Sequence, residues 1–324
     1  MGEVPVVRWG ILGAGRIATR FAQSLAHVEG AELVAASRRS EEKARSFLDS
    51  VLCAEGARAY GDHAALLADD EVDALYLALP HALHTEWALR AFDAGKAVLC
   101  EKPACLDAAE MERVSQAARS QGLLFMEAMK TRFVPLHAAV RSALPALGAT
   151  GHVRASLCND ALAVLRQRDT YILGGGPGSG VLLDCGIYCA SWLEELLPGE
   201  FRVERAEATW CEGSDVYVRA ELVMGGVPAI LECACDRAKP RQLVVEGERG
   251  TLTVDDLHRP QHAELRFSDG SVQNFDSPYV IDDFYGEVRH FCDLMEAGAV
   301  ESSVMPHAAS IRCARILDLI RAAI

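Results

Sequence analysis

Short and nearly continuous apolar runs recur through the first 129 residues: VVRWGIL, ELVAAS, DALYLAL, AVLCEKP and LLFMEAM. Strands that are apolar at successive positions, rather than at alternate ones, are covered on both faces. Helical stretches fit between them, for example Ile17 to His27 and Asp107 to Ser120, the latter with Asp107 as a suitable N-cap. Strands and helices in alternation predict a parallel sheet with crossover helices.

After Met129 the pattern changes. A helix is expected over Phe133 to Leu144, then a strand, GHVRASLC, and a polar, glycine-rich stretch from Asn159 to Gly180. A helix over Val181 to Leu197 follows. Longer strands come next in series: FRVERAEATW, DVYVRAELVM, VPAILECAC, RQLVVEGERGTLTV and AELRFSDGSVQNF. Their connections, MGGVP and FSDGS, carry hairpin signals, and helices over Asp283 to Gly298 and Met305 to Ile324 close the chain. The expected fold class is α/β. A doubly wound parallel sheet over residues 1–128 precedes an α/β domain over residues 129–324, built on a large, open, mainly antiparallel sheet.

Length supports two domains, since 324 residues exceed the size at which single cores stop growing. No apolar run approaches the roughly 18 to 20 residues that cross a bilayer, so no membrane partner is expected. The start, MGEVPVVRWGILG, has no basic n-region and runs directly into a strand, which points to the cytoplasm. Eleven cysteines, from Cys53 to Cys313, form no CxxC pair or zinc-type spacing and read as reduced, mostly buried thiols. A net charge of -14 without any basic block excludes a nucleic-acid surface. The free face of the open sheet suits a homo-oligomer, dimer or tetramer.

With so acidic a chain, an anionic cofactor must be held by local groups. The first strand runs into Gly10, Gly13, Gly15 and Ala18, a GxGxxA variant between strand and helix. In a dinucleotide-binding Rossmann fold, Gly13 would make the tight turn and Gly15 would let the backbone approach a pyrophosphate. Ala18 would permit close helix packing, and the helix start at Arg16 and Ile17 would attract phosphate charge. A bare strand-to-helix turn is the plainer alternative. The second strand ends in Ser37, Arg38 and Arg39, where an NAD-specific protein places a carboxylate. A hydroxyl and guanidinium groups accept a 2′-phosphate, so NADP is favoured, with NAD as the alternative; the arginines could also be solvated surface charges.

At the end of a later strand stands Glu101-Lys102-Pro103. A lysine at the carboxyl end of a parallel strand points toward the ligand crevice of an open α/β sheet, and the proline could support a tight, cis turn. Further on, DCGIY places Asp184 and Tyr188 four apart, on one helical face, where both could share one ligand or simply cap and pack the helix.

RWGILGAGRIA, AVLCEKP, MEAMKTRFVP and VLLDCGIYC, in this order and spacing, resemble the glucose-fructose oxidoreductase, inositol dehydrogenase and MocA-like (Gfo/Idh/MocA) family. The nearest likeness is to dimeric dihydrodiol dehydrogenases and NADP-dependent D-xylose dehydrogenases. The resemblance implies hydride transfer between nicotinamide and a carbinol or carbonyl carbon, with Lys102 near the nicotinamide. It also implies that Pro80, His81 and His84 lie beside the nicotinamide ribose, although both histidines could be ordinary loop and helix-start residues. Tyr188 is expected to handle the proton on the substrate oxygen. A free phenol titrates near ~10, so a cation such as Lys102 is needed to favour its phenolate. Asp184 would orient the substrate or Lys102.

Relatives resembling dihydrodiol dehydrogenase carry tryptophan where this chain has Lys130. That change favours a sugar, polyol or other small polar substrate, unless Lys130 makes a structural salt bridge. Arg132 is counted with Lys130 at the substrate site, although an interdomain anchor suits it better. The Asn159 to Gly180 stretch is expected to wall the pocket. His258 and His262 have metal-like spacing, but Pro260 between them argues against a metal. Alternatives to a sugar-type dehydrogenase are a catalytically silent NAD(P) sensor, a trans-dihydrodiol dehydrogenase, and an enzyme that keeps its cofactor while alternating substrates.

Overall fold

A computed structural model describes residues 6–51, 54–168 and 170–324; Cys53 and Asp169 lie outside them. The first six strands are β1 (Val7–Leu12), β2 (Ala31–Ser37), β3 (Arg58–Tyr60), β4 (Ala74–Leu77), β5 (Ala97–Glu101) and β6 (Phe125–Ala128). They form one parallel sheet in the order β3-β2-β1-β4-β5-β6. This is the doubly wound order, whose switch point falls beside β1. The helices α1 (Arg16–Leu25), α2 (Glu41–Leu48), α3 (His63–Leu67), α4 (His84–Asp93) and α5 (Ala108–Gln121) alternate with the strands. All four residues of β4 and of β6 are buried, as continuous apolar runs require. Trp9 of β1 meets Phe21 of α1 edge-on, and Phe21 stacks on Tyr76 of β4, fixing α1 against the sheet.

The chain divides into two units with more crossings than the single boundary expected at 128/129. Unit 1 is Met1–Cys105, Ala109–Phe133 and Val280–His307; unit 2 is Leu106–Ala108, Val134–Tyr279 and Ala308–Ile324. The late segment joins the first sheet for identifiable reasons. Val300 O accepts the N–H of Phe125 at 3.2 Å on the edge strand β6, His307 Nε2 lies 2.9 Å from Phe125 O, and Phe291 packs on Trp9. An edge strand left bare would expose unpaired backbone groups.

Unit 2 contains α6 (Pro135–Ala143), β7 (Thr150–Cys158), α7 (Leu162–Arg166) and α8 (Ile187–Leu196). Strands β8 (Phe201–Cys211), β9 (Ser214–Met224), β10 (Val227–Ala234), β11 (Gln242–Gly247), β12 (Gly250–Asp255), β13 (His262–Phe267) and β14 (Val272–Asp276) follow. Together with β7 they make an eight-stranded sheet, β14-β13-β12-β11-β7-β10-β9-β8, antiparallel except for β7 with β10. Helix α8 packs on β7 and β10, and Trp192 donates its indole N–H to Leu257 O at 2.9 Å. Helix α9 (Tyr285–Glu296) falls in unit 1, and α10 (His307–Arg321) lies in unit 2 apart from its first residue. Among the described residues no helix is long and apolar enough to cross a membrane, and the ten described cysteines are free.

Candidate active site

The glycine loop has the geometry its sequence asks for. Gly13 sits at φ +88, and a Cβ there would lie 2.6 Å from Ala78 O, so both its conformation and its closeness to β4 require glycine. The N–H groups of Gly13 and Ala14 donate to Ser37 O at 3.2 and 3.3 Å, tying the loop to the end of β2. Gly15 is the N-cap of α1, and a Cβ on it would meet nothing nearer than Gly13 O at 3.8 Å. No protein packing requires glycine there, so the open space suits close approach of a ligand. Ala18 is fully buried, Arg16 is exposed and Ile17 half-buried.

The three residues ending β2 are placed differently from one another. The Ser37 side chain is fully buried, its hydroxyl 2.7 Å from His63 Nδ1 and 3.3 Å from Ile11 O. That hydroxyl is engaged inside the unit, and Ser37 serves the loop through its carbonyl. Arg38 and Arg39 are half-buried and exposed, and neither guanidinium has a partner among the described residues. Two unpaired cations beside a glycine loop fit an additional phosphate.

At the end of β5, Glu101 and Lys102 are half-buried and the Lys102–Pro103 bond is cis. Glu101 accepts a short hydrogen bond from the Tyr76 hydroxyl and a second from the Lys102 N–H at 3.2 Å. Burial raises its carboxyl, against the charge of Lys102 and the Tyr76 bond. Pro80 is exposed, whereas His81 and His84 are buried, with ring centroids 5.7 Å apart. His84 Nδ1 lies 2.9 Å from Pro103 O, and Nε2 lies 2.7 Å from Leu79 O. Burial lowers the pKa of the ring. A neutral imidazole donates only one N–H, so it pins one of these carbonyls at a time; the ring nevertheless straps the Pro103 turn to the end of β4.

In unit 2, Asp184 lies within a π turn, Leu182–Gly186, that runs into α8, and Tyr188 is in the first turn of α8. The uniform 3.6-residue spacing expected of DCGIY does not hold across that turn. π turns recur at functional sites because they displace side chains from the regular helical faces. Asp184 is half-buried and Tyr188 is 7% exposed. The tyrosine ring stands edge-on to His258, centroids 5.7 Å apart, and His258 Nδ1 is 2.9 Å from Asp256 Oδ1.

A family model described as an oxidoreductase family with an NAD-binding Rossmann fold, GFO_IDH_MocA, matches residues 7–129. The scyllo-inositol 2-dehydrogenase (NADP(+)) IolU of Bacillus subtilis is 30% identical over 316 residues, covering 97% of this chain and 95% of that protein. A trans-1,2-dihydrobenzene-1,2-diol dehydrogenase of Mus musculus is 32% identical over 334 residues, covering 98% of this chain and 97% of its own. The crystal structure of KijD10, a 3-ketoreductase from Actinomadura kijaniata in complex with NADP and TDP-benzene, superposes with a TM-score of 0.88 at 26% identity, covering 98% of both chains.

The chain belongs to the Gfo/Idh/MocA oxidoreductase family.

In this oxidoreductase Lys130 is 5% exposed. It forms a short ion pair with Asp283, which also takes Arg20, and its ammonium lies 4.8 Å from the Phe284 ring centroid. Of the two readings of Lys130, the salt bridge is the one the geometry supports. Arg132 is also buried and donates to Val304 O at 3.3 Å within unit 1. Within the Asn159 to Gly180 stretch, Arg166 Nη2 donates to Cys211 Sγ at 3.0 Å, and the Gly175 N–H to Ser214 Oγ at 3.0 Å.

Three neighbours of the candidate residues carry no signal of that role in the sequence. His258 was considered for metal spacing alone and instead stands beside Tyr188. His63 backs Ser37, and Tyr76 holds Glu101. The last two are long-range partners with no local signal. No cluster of metal ligands occurs among the described residues.

Proposed function

We propose that this family member is an NADP-preferring dehydrogenase or reductase acting at the hydroxyl or carbonyl of a sugar, polyol or related small polar compound. The observation that carries the reading is the open Gly15 approach beside two arginines whose guanidinium groups are unpaired among the described residues, in a chain that also holds Lys102 and Tyr188. Gly13, Gly15, Arg16 and Ile17 would cradle the pyrophosphate, and Arg38 and Arg39 the 2′-phosphate. Pro80, His81, His84, Glu101 and Lys102 would border the nicotinamide end. The bound nicotinamide would supply or accept the hydride.

The chain's own residues then manage the proton. Tyr188 gives it to, or takes it from, the substrate oxygen, Lys102 supplies the cation that favours the phenolate, and Asp184 orients the substrate. The named activity of IolU, on an inositol, supports a polyhydroxylated substrate, and that of KijD10, a 3-ketoreductase, supports reaction at a carbonyl. Because Asp283 answers the charge of Lys130, an aromatic trans-dihydrodiol, the named substrate class of the mouse relative, stands as the second reading. We further assign the protein to the cytoplasm as a homo-oligomer, with the open sheet as the contact face.

The test is an NADPH/NADP⁺ turnover screen over aldoses, ketoses, sugar acids, inositols and aromatic dihydrodiols. Turnover that disappears in Tyr188→Phe, with NADPH binding retained, supports the assignment. Tight NADPH binding without turnover on any compound would replace it with a sensor role.

A further inference from the structure

Glu287 lies in the first turn of α9 and is fully buried, yet neither of its carboxyl oxygens has a hydrogen-bond partner among the described residues. A negative charge at a helix start gains modestly from the backbone dipoles. Burying an unpartnered carboxylate costs more than that gain, so desolvation wins and a charged Glu287 is disfavoured.

The surrounding charges do not change that result. Lys130, on the turn Lys130–Phe133 that packs against α9, is committed to Asp283, and so is Arg20 of α1. Asp282 accepts from Ser24 and from the N–H groups of Phe284 and Tyr285. Arg132 is turned to Val304 O. His290, three residues along α9, is bonded to Ser302, and burial lowers its pKa. The largest charge acting on Glu287 is that of Glu101, a half-buried residue at the end of β5 whose carboxyl is itself desolvated. Two interacting, desolvated carboxyls cannot both ionise cheaply, which favours one proton between them. Glu101 has the Tyr76 hydroxyl, the Lys102 N–H and the Lys102 charge to favour its anion. Glu287 has the charge of Lys130 in its favour, against burial and the charges of Glu101, Asp283 and Asp282.

We propose that Glu287 is a positioning residue for the reaction centre: it carries the one proton of a two-carboxyl pair with Glu101 and leaves Glu101 as the single anion behind Lys102. This rests on Lys102 acting in the reaction proposed above. Ionisation of Glu287 would place a second anion behind the ammonium and draw it back, so the pair sets the pH at which Lys102 is correctly held.

The infrared difference spectrum of the full chain, wild type minus Glu287→Gln at neutral pH without cofactor, should show the carbonyl stretch of a protonated carboxylic acid. A carboxylate band in its place overturns the proposal. In Glu101→Gln, which keeps Glu287, the acid band should titrate away at lower pH than in the wild type because the like charge is gone; an unmoved midpoint is equally fatal. That arm carries the test if Glu287→Gln does not fold. In turnover, Glu287→Gln should move the alkaline limb of kcat to higher pH while KM for NADPH stays in place, and an unshifted limb refutes the positioning role. The two spectral measurements need no substrate, so a chain that turned over nothing would fail the enzyme assignment while still deciding the state of the pair.

Discussion

Asp215 Oδ2 accepts the backbone N–H of Leu182 at 2.7 Å, at the start of the π turn that carries Asp184. The carboxyl is buried, its pKa raised by desolvation against that bond. Gly180 faces it so closely that a Cβ would fall 1.9 Å from Oδ1, at a φ of +96. Gly180→Ala must therefore either push out the cap or shift the turn. A loss of about 1–3 kcal/mol of stability is expected, with a larger relative fall in turnover than in NADPH affinity. Thermal melts together with kcat and cofactor titration check this; an unchanged kcat would mean that the turn is not held by Asp215.

Among the described residues the guanidinium groups of Arg38 and Arg39 have no partner, so replacing these side chains removes little from the fold except two charges. Arg38→Ala should leave the melting temperature unchanged within error. It should weaken NADPH by about 1.5–3 kcal/mol, roughly tenfold to more than a hundredfold, through loss of a charge-assisted phosphate contact. NADH binding should change little. Calorimetric titration with both cofactors reads the difference, and equal losses would place the 2′-phosphate elsewhere.

The extent of legibility in the sequence follows the range of each interaction. Apolar runs and the glycine spacing are local, and they foretold the parallel sheet, the loop at Gly13 and the run of antiparallel strands. The helix expected over Asp283 to Gly298 exists as Tyr285–Glu296, but its membership of unit 1 depends on Phe291 meeting Trp9 and Val300 meeting Phe125, contacts that no local pattern encodes. The π turn at Asp184 arises in a stretch whose composition reads as ordinary helix. Ser37 was legible as the end of the second strand, but the direction of its hydroxyl depends on His63, 26 positions away.

Two sets of buried groups give stability opposite slopes with pH below neutrality. Burial lowers the pKa of His63, His84, His290 and His307 from 6.5. Their neutral forms favour the fold above 6.5, and this contribution is lost as pH falls through the lower folded values, because the unfolded chain takes up protons first. Burial raises Glu101, Glu287, Asp215 and Asp318. Their contribution is complete below the unfolded carboxyl values and is lost as pH rises through the folded ones. The histidine contribution should thus decline from about pH 7 to about pH 5 against the opposite slope of the carboxyls, so His307→Gln should change the melting temperature more favourably at about pH 5 than at about pH 7. Glu287→Gln should stabilise more at neutral pH than near pH 4.5. A slope unaffected by either substitution would locate the titrating groups elsewhere.

The ion pair between Lys130 and Asp283 separates structural from substrate roles for the residue that replaces an expected aromatic. Both side chains are almost inaccessible, at 7% and 3% of their surface. Removing one partner of a buried pair leaves an uncompensated charge and costs about 3–5 kcal/mol, whereas replacing both with groups of similar volume is often neutral. Lys130→Met alone should therefore destabilise less than Asp283→Asn, because Arg20 still pairs with Asp283 in the first variant, while the second leaves both cations unanswered. Adding Lys130→Met to Asp283→Asn should recover part of the loss. If Lys130→Met instead leaves the melting temperature intact and selectively raises KM for a polar substrate, the lysine reads the substrate after all, and the preference for sugars over dihydrodiols regains its original argument.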